Sequence, residues 1–220
     1  MPITIDQLVE LYPTVYHMAE RDALPQIRTL GLLSTTAALD LFEVDPDERR
    51  RLEIEVRPTS NVIEHIEFGK IVLRDQKPLS TTKLAGCLQD GLSVEDWLTL
   101  INRKVFFWVA YEKVENLLGA REYKDREHIV IAVDTRSLVT THEENVTLAP
   151  MNTGTTNPFA HPRGTSTIAP LADFPFADRR RRGLNIGVEL CVDYSVPDLF
   201  DHVQEIYVGS ADGGLQPPDC

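Results

Sequence analysis

Six histidines, His17, His65, His128, His142, His161 and His202, lie along the chain with no His-x-x-x-His pair and no His-Glu-x-x-His run. A zinc hydrolase places two imidazoles on one helix face, so its local signature is missing and no metal is expected. The glycines form no Gly-x-x-x-x-Gly-Lys, Gly-x-Gly-x-x-Gly or Gly-x-Ser-x-Gly run, which counts against phosphate-loop, Rossmann and common serine-hydrolase chemistry. Cys87, Cys191 and Cys220 make no Cys-x-x-Cys pair and read as reduced thiols. Arg179-Arg180-Arg181-Arg182 has the charge to seat a phosphate or an acidic partner, or is a solvated loop cluster. Asn152, Thr153, Gly154 and Thr155 suit either a flexible cover over a ligand or an ordinary turn-rich loop. Asp125-Arg126-Glu127-His128 reads as an ion-pair network fixing a strand. What remains is Tyr16-His17-Met18, a histidine inside an apolar run.

A chain of 220 residues with 42% hydrophobic content can bury a real core. One α+β domain over residues 1–212 is expected, with a disordered tail at 213–220 where Gly213-Gly214 begins. A net charge of −12 repels phosphate backbones and disfavours loose nucleic-acid binding. No window approaches the roughly 18 apolar residues of a bilayer span, and the N-terminus lacks the basic-then-apolar layout of a signal peptide. A cytoplasmic protein without a membrane partner is expected.

The elements that must position these residues follow from caps and periodicity. Thr4-x-x-Gln7 has capping-box form and predicts a helix that Pro13 stops. Val15 to Met18 suits a buried strand. Asp22 can cap a helix carrying Leu24, Ile27 and Leu30, with Gly31 where a left-handed C-terminal residue is wanted. Ser34 or Thr35 can cap a helix through Leu41-Phe42, and Asp45-Pro46 starts another. Pro58 and Gly69 bracket a hairpin. Helices are predicted over 82–88, 93–101 and 111–118. Continuously apolar strands are predicted at 105–109 and 128–133. From Val146 to about Pro170 the chain is rich in Pro, Gly, Asn and Thr without periodicity, which marks a functional or mobile loop. Strands at 187–192 and 203–208, joined by Pro197-Asp198, close the chain.

The opening unit, from Tyr16-His17-Met18 through Pro25-Gln26-Ile27 to Gly31-Leu32-Leu33-Ser34, resembles the first motif of the ADP-ribosyltransferase superfamily. The likeness is greatest to DarT-type DNA-modifying enzymes and tRNA 2′-phosphotransferases, which open with a histidine on the first core strand, a helix with a Pro-x-Ile pattern, and Gly-Leu. DarT-type enzymes carry an asparagine where this chain has Ala23, which weighs against their DNA target. The chain also resembles a group of bacterial proteins of unknown function that share this opening, Arg74-Asp75-Gln76 and Val105-Phe106-Phe107-Trp108.

The superfamily resemblance implies two small β-sheets around an NAD cleft with peripheral helices. NAD would be the substrate and ADP-ribose the group transferred. His17 would hydrogen-bond a ribose hydroxyl and orient the dinucleotide, or it is a satisfied core residue. These enzymes take a carboxylate from a late core strand to stabilise oxocarbenium-like charge, and Glu205 in Gln204-Glu205-Ile206-Tyr207-Val208 is the candidate, or an exposed strand-edge glutamate. Arg74 would bind the pyrophosphate, or it pairs on a surface turn. Tyr16, Ser34 and Asn152 complete the expected NAD contacts. The acceptor is open among protein, small molecule and nucleic acid. An NAD glycohydrolase and a non-catalytic binding module stand as alternatives.

Overall fold

The computed structural model describes residues 1–120 and 123–210, and the backbone of 214–216. Helix α1 (Ile5–Leu11) starts at the Thr4–Gln7 capping box that the sequence predicts. Strand β1 (Thr14–Glu20) follows, and a short 3-10 turn leads into α2 (Leu24–Leu30). The N-cap of α2 is Ala23 and not Asp22, because the intervening turn moves the helix start. Gly31 ends α2 at φ 70° and ψ −156°, outside the left-handed helical region that a C-terminal glycine usually occupies.

Next come β2 (Leu32–Leu33), α3 (Thr35–Leu41) and α4 (Pro46–Ile54), the last two capped by Ser34 and Asp45. The hairpin is β3 (Asn61–His65) and β4 (Gly69–Leu73). Helices α5 (Thr81–Ala85) and α6 (Val94–Asn102) precede β5 (Lys104–Trp108), α7 (Tyr111–Leu118) and β6 (His128–Asp134). Helix α8 (Thr135–Thr141), capped by Asp134, escaped sequence prediction because three of its seven residues are Thr and no apolar stripe announces it. Strand β7 (Val146–Ala149) opens the stretch that composition marks as irregular, and β8 (Ala169–Pro170) closes it. The arginine run lies in and just after α9 (Phe176–Arg181), where Asp178 pairs with Arg181 and Arg182. Strands β9 (Glu189–Asp193), β10 (Ser195–Val196) and β11 (Val203–Ser210) follow. In the segment expected as a disordered tail, Gly214–Gln216 is a strand, β12, paired with β11, while 213 and 217–220 lie outside the described residues.

The fold is α+β. The expected pair of small sheets is corrected to one eight-stranded antiparallel sheet, ordered β12-β11-β6-β1-β5-β9-β7-β8, with β10-β2 and β3-β4 as separate two-stranded sheets. The expectation missed that the two halves join. Strand β1 pairs with β6 along its whole length and β5 pairs with β9 along its whole length, yet β1 and β5 share one residue pair, Tyr16 with Trp108. Beyond that pair two strand edges face each other across a gap.

Apolar residues fill both faces. Val15, Phe107, Ile129, Ile131, Val133, Leu148 and Leu190 form the main core on one face. On the other, α7 covers Met18 and Val130, and α5 and α6 cover Cys191 and Ala149 around the fully buried Trp97. A satellite core ties α3 and α4 to the hairpin through Leu39, Phe42, Leu52, Ile63 and Leu73.

Ser34 links this scaffold to the gap. It is 1% exposed, and its Oγ accepts from the Ala37 amide 3.1 Å away. Ser34→Ala leaves that buried amide without a partner and should lower unfolding free energy by about 1–2 kcal/mol, read as a lower urea midpoint at constant slope.

Candidate functional site

The gap between β1 and β5 opens into a cavity of about 680 Å³, within the range of small-molecule and cofactor sites. Its walls are the facing ends of β1 and β5, the α2–Ser34 turn, β4 with Arg74-Asp75-Gln76, and the Asn152–Gly154 loop.

His17 sits at the mouth of the gap. Its Nδ1 bonds the Phe106 carbonyl oxygen at 2.8 Å. A carbonyl only accepts, so Nδ1 carries the proton and Nε2 keeps a lone pair in the neutral ring. The ring packs edge-on to Phe107 at 5.8 Å between centroids. Burial below the protein surface pushes the His17 pKa down to about 4; the Phe106 bond opposes this and the charge of Arg74 reinforces it. The imidazole is therefore neutral near pH 7. Among the described residues no protein group bonds Nε2.

Glu189 enters from the other half-sheet. It is 4% exposed at the start of β9, paired with Trp108 of β5 and Ala149 of β7. Its Oε2 accepts from the Thr153 amide at 3.0 Å and the Thr153 hydroxyl at 2.7 Å. Burial raises its pKa to about 7, against the two Thr153 bonds and the charge of Arg163, which pull it down. Paired residues across a sheet share a face, so Tyr16, Trp108 and Glu189 form one row and His17 lies on the opposite face. The two side chains reach one cavity because the sheet is parted there.

The Asn152–Thr155 segment is not a flexible cover. Thr153 and Thr156 are fully buried, and Arg163, 1% exposed, donates to the carbonyls of Thr153 at 3.1 Å and Thr155 at 2.9 Å while its guanidinium lies over Trp97. Thr156 and Asn157 hold the far end through the Pro78 carbonyl. The loop is a fixed support for the Glu189 carboxylate. Asn152 lines the cavity with its Oδ1 already accepting from the Gly154 amide.

Arg74 is half-buried, stacked 4.4 Å over the Tyr123 ring, and no carboxylate pairs it among the described residues. Its backbone is held by Arg57, a residue that sequence reading overlooked. Arg57 is 5% exposed and donates to the carbonyls of Arg74 and Leu52, to Asn102 Oδ1 and to Thr35 Oγ1, all neutral acceptors. Burial lowers its pKa to about 10, partly offset by Asp75. At neutral pH the cavity wall thus carries two guanidinium charges, Arg57 and Arg74, next to a neutral imidazole.

Of the expected site residues, His17, Ser34, Arg74 and Asn152 line this cavity, whereas Tyr16 and Glu205 do not. Tyr16 points to the opposite face, where its ring meets Tyr111 edge-on at 5.6 Å. Glu205 pairs with Ala132, which pairs with Tyr16, so the same parity turns it away from His17. It is exposed and accepts from the Tyr207 hydroxyl. The Asp125–His128 segment makes two of the expected ion pairs, Glu127 with Arg21 and Arg126 with Glu20, both solvent-exposed where β1 ends and β6 begins.

The chain belongs to a family of unknown function, DUF7002, whose sequence profile matches residues 13–203. That span contains His17, Arg74 and Glu189 and stops short of Glu205. A search of curated proteins finds no match. No helix among the described residues is long and apolar enough to cross a membrane.

Proposed function

We propose that the cavity binds NAD and that the protein transfers ADP-ribose from it, with Glu189 in the role that sequence reading gave to Glu205. The observation that carries this reading is the meeting of a neutral imidazole, a buried carboxylate and a guanidinium that no carboxylate pairs among the described residues, in one cavity at the parting of β1 and β5. The His17 ring, fixed by Phe106, accepts a ribose hydroxyl proton at Nε2 and orients the sugar. Arg74 offers its planar fork to the pyrophosphate. The Glu189 Oε1 faces the ribose while Thr153 holds Oε2. As the bond between C1′ and the nicotinamide nitrogen breaks, the electron pair leaves with nicotinamide and positive charge builds on the sugar. A carboxylate fixed beforehand in a site of low polarity stabilises that charge without reorganising. The acceptor's nucleophile then bonds C1′ and loses its proton. The overall fold would be ADP-ribosyltransferase-like, with the single β1–β5 pair as the join between its half-sheets.

Incubation with NAD labelled in the adenosine half should release nicotinamide, with label passing to an acceptor supplied by cell extract. Turnover without acceptor identifies a glycohydrolase instead, and a melting shift with NAD but no turnover identifies a binding module. If NAD neither shifts the melting temperature nor loses nicotinamide, the reading is lost.

The pH profile offers a second check. The reaction needs Glu189 ionised, so kcat/KM should climb with pH and level off above about 7. Below that it should fall about tenfold per pH unit. His17, with a pKa of about 4, adds no second limb between pH 5 and 8. A flat profile from pH 5 to 8 would show that Glu189 does not titrate in the reaction.

A further inference from the structure

We infer that His142, Asp198 and His202 form a binding site for one Zn²⁺ or chemically similar ion, separate from the cavity. His142 closes α8, and Asp198 and His202 flank the short 3-10 turn at 199–201 that leads into β11. The Nε2 atoms of both rings converge on the Asp198 carboxylate, His142 on Oδ1 at 2.8 Å and His202 on Oδ2 at 3.1 Å. The three donor atoms lie within 4.8 Å of one another. Tetrahedral zinc with bonds of about 2.0–2.1 Å sets neighbouring donors about 3.3 Å apart, so each nitrogen–oxygen pair must open by a few tenths of an ångström and the two imidazole nitrogens must settle at that spacing from within 4.8 Å. Two imidazole nitrogens and one carboxylate oxygen suit zinc, cobalt or nickel; calcium and magnesium prefer all-oxygen sets.

The ring of His202 is also held from behind, as ligand imidazoles are. Its Nδ1 lies 2.7 Å from Ser137 Oγ. Without metal, Nε2–H donates to Asp198 and the Ser137 hydroxyl donates to Nδ1. With metal, the proton sits on Nδ1 and donates to Ser137 Oγ, and Nε2 turns its lone pair to the ion. Side-chain exposures of 13% for His142 and 28% for Asp198 leave room for a solvent molecule as fourth ligand. Spacing concealed the site, because His142 and Asp198 lie 56 residues apart.

The full chain, stripped with a chelator and exchanged into clean buffer, is titrated with Zn²⁺ against a chromophoric competitor. Co²⁺ serves as a second probe, its visible absorption reporting a tetrahedral nitrogen–oxygen set. One ion per chain is expected, with a higher melting temperature in zinc than in chelator. His142→Gln keeps an amide donor toward Asp198, so the fold is retained, and should weaken binding at least tenfold. Ser137→Ala should weaken it by about tenfold without changing stoichiometry. Binding well below one ion per chain, or an unchanged affinity in His142→Gln, would overturn the inference.

Discussion

Glu189→Gln is expected to reduce nicotinamide release from NAD by about 100- to 1000-fold while making the folded protein more stable at alkaline pH. The rate loss follows from removing a preorganised negative charge where positive charge develops. The gain in stability follows from proton linkage. Burial raises the Glu189 pKa from an ordinary 4.5 to about 7, so the folded chain holds this proton more tightly than the unfolded chain. Stability therefore falls as pH rises from about 4.5 to about 7, and the full cost, up to about 3 kcal/mol, is present above that window. Glutamine carries no charge to bury and still offers an oxygen to Thr153. The variant should melt several degrees above wild type at pH 8 and at nearly the same temperature as wild type at pH 4. Glu205→Gln, on an exposed strand facing the other way, should leave rate and melting within about twofold and one degree. A variant at 189 that keeps wild-type turnover would remove this carboxylate from the mechanism, whatever its effect on melting.

Gly31→Ala should cost more than about 3 kcal/mol, and the chain should lose the cavity wall with it. At φ 70° and ψ −156° the backbone occupies a region essentially reserved for glycine. A methyl group there would stand 2.2 Å from the Val196 carbonyl oxygen and 2.6 Å from Pro197 Cα, both backbone atoms that cannot rotate away. Relief would require parting β2 from β10, whose Leu32–Val196 and Leu33–Ser195 pairs hold the turn in place. Gly183 provides the control, since it also has positive φ, at 62°, but nothing lies within 4 Å of its added Cβ. Gly183→Ala should cost only about 1 kcal/mol of backbone strain. Urea denaturation of the two variants separates the effects, and equal costs would show that crowding at Gly31 relaxes freely.

Local signals made much of the scaffold legible. The Thr4 capping box, the Ser34 and Asp45 caps, the apolar runs of β5 and β6 and the Gly69 hairpin all act over a few residues, and all appear where the sequence puts them. His17 and Arg74 were legible because each stands beside a recognisable element. Glu205 illustrates what a single strand cannot reveal. Side-chain direction alternates along a strand, and only the pairing of Glu205 with Ala132 decides which face it takes. Glu189 had a signal that went unused, a lone carboxylate in the apolar run Val188-Glu189-Leu190-Cys191. A charge in such a run is either an error of burial or a working group. Arg57, Thr153 and Arg163 carried no such signal, because the partners that give them a role, on α3, α4 and α6 for Arg57, on β9 for Thr153 and in the loop at 153–161 for Arg163, are brought to them only by the fold.

The narrow join between β1 and β5 also bears on how the molecule yields. An eight-stranded sheet normally resists shear through every rung of its ladders, yet at its midline this one relies on a single rung, Tyr16 with Trp108, and on the His17 ring clasping Phe106. Twisting one half against the other loads that seam before any other line in the sheet. The line of the sheet with the fewest backbone pairs among the described residues therefore passes beside the imidazole. A molecule bridging the two edges would stiffen the whole sheet from its softest line.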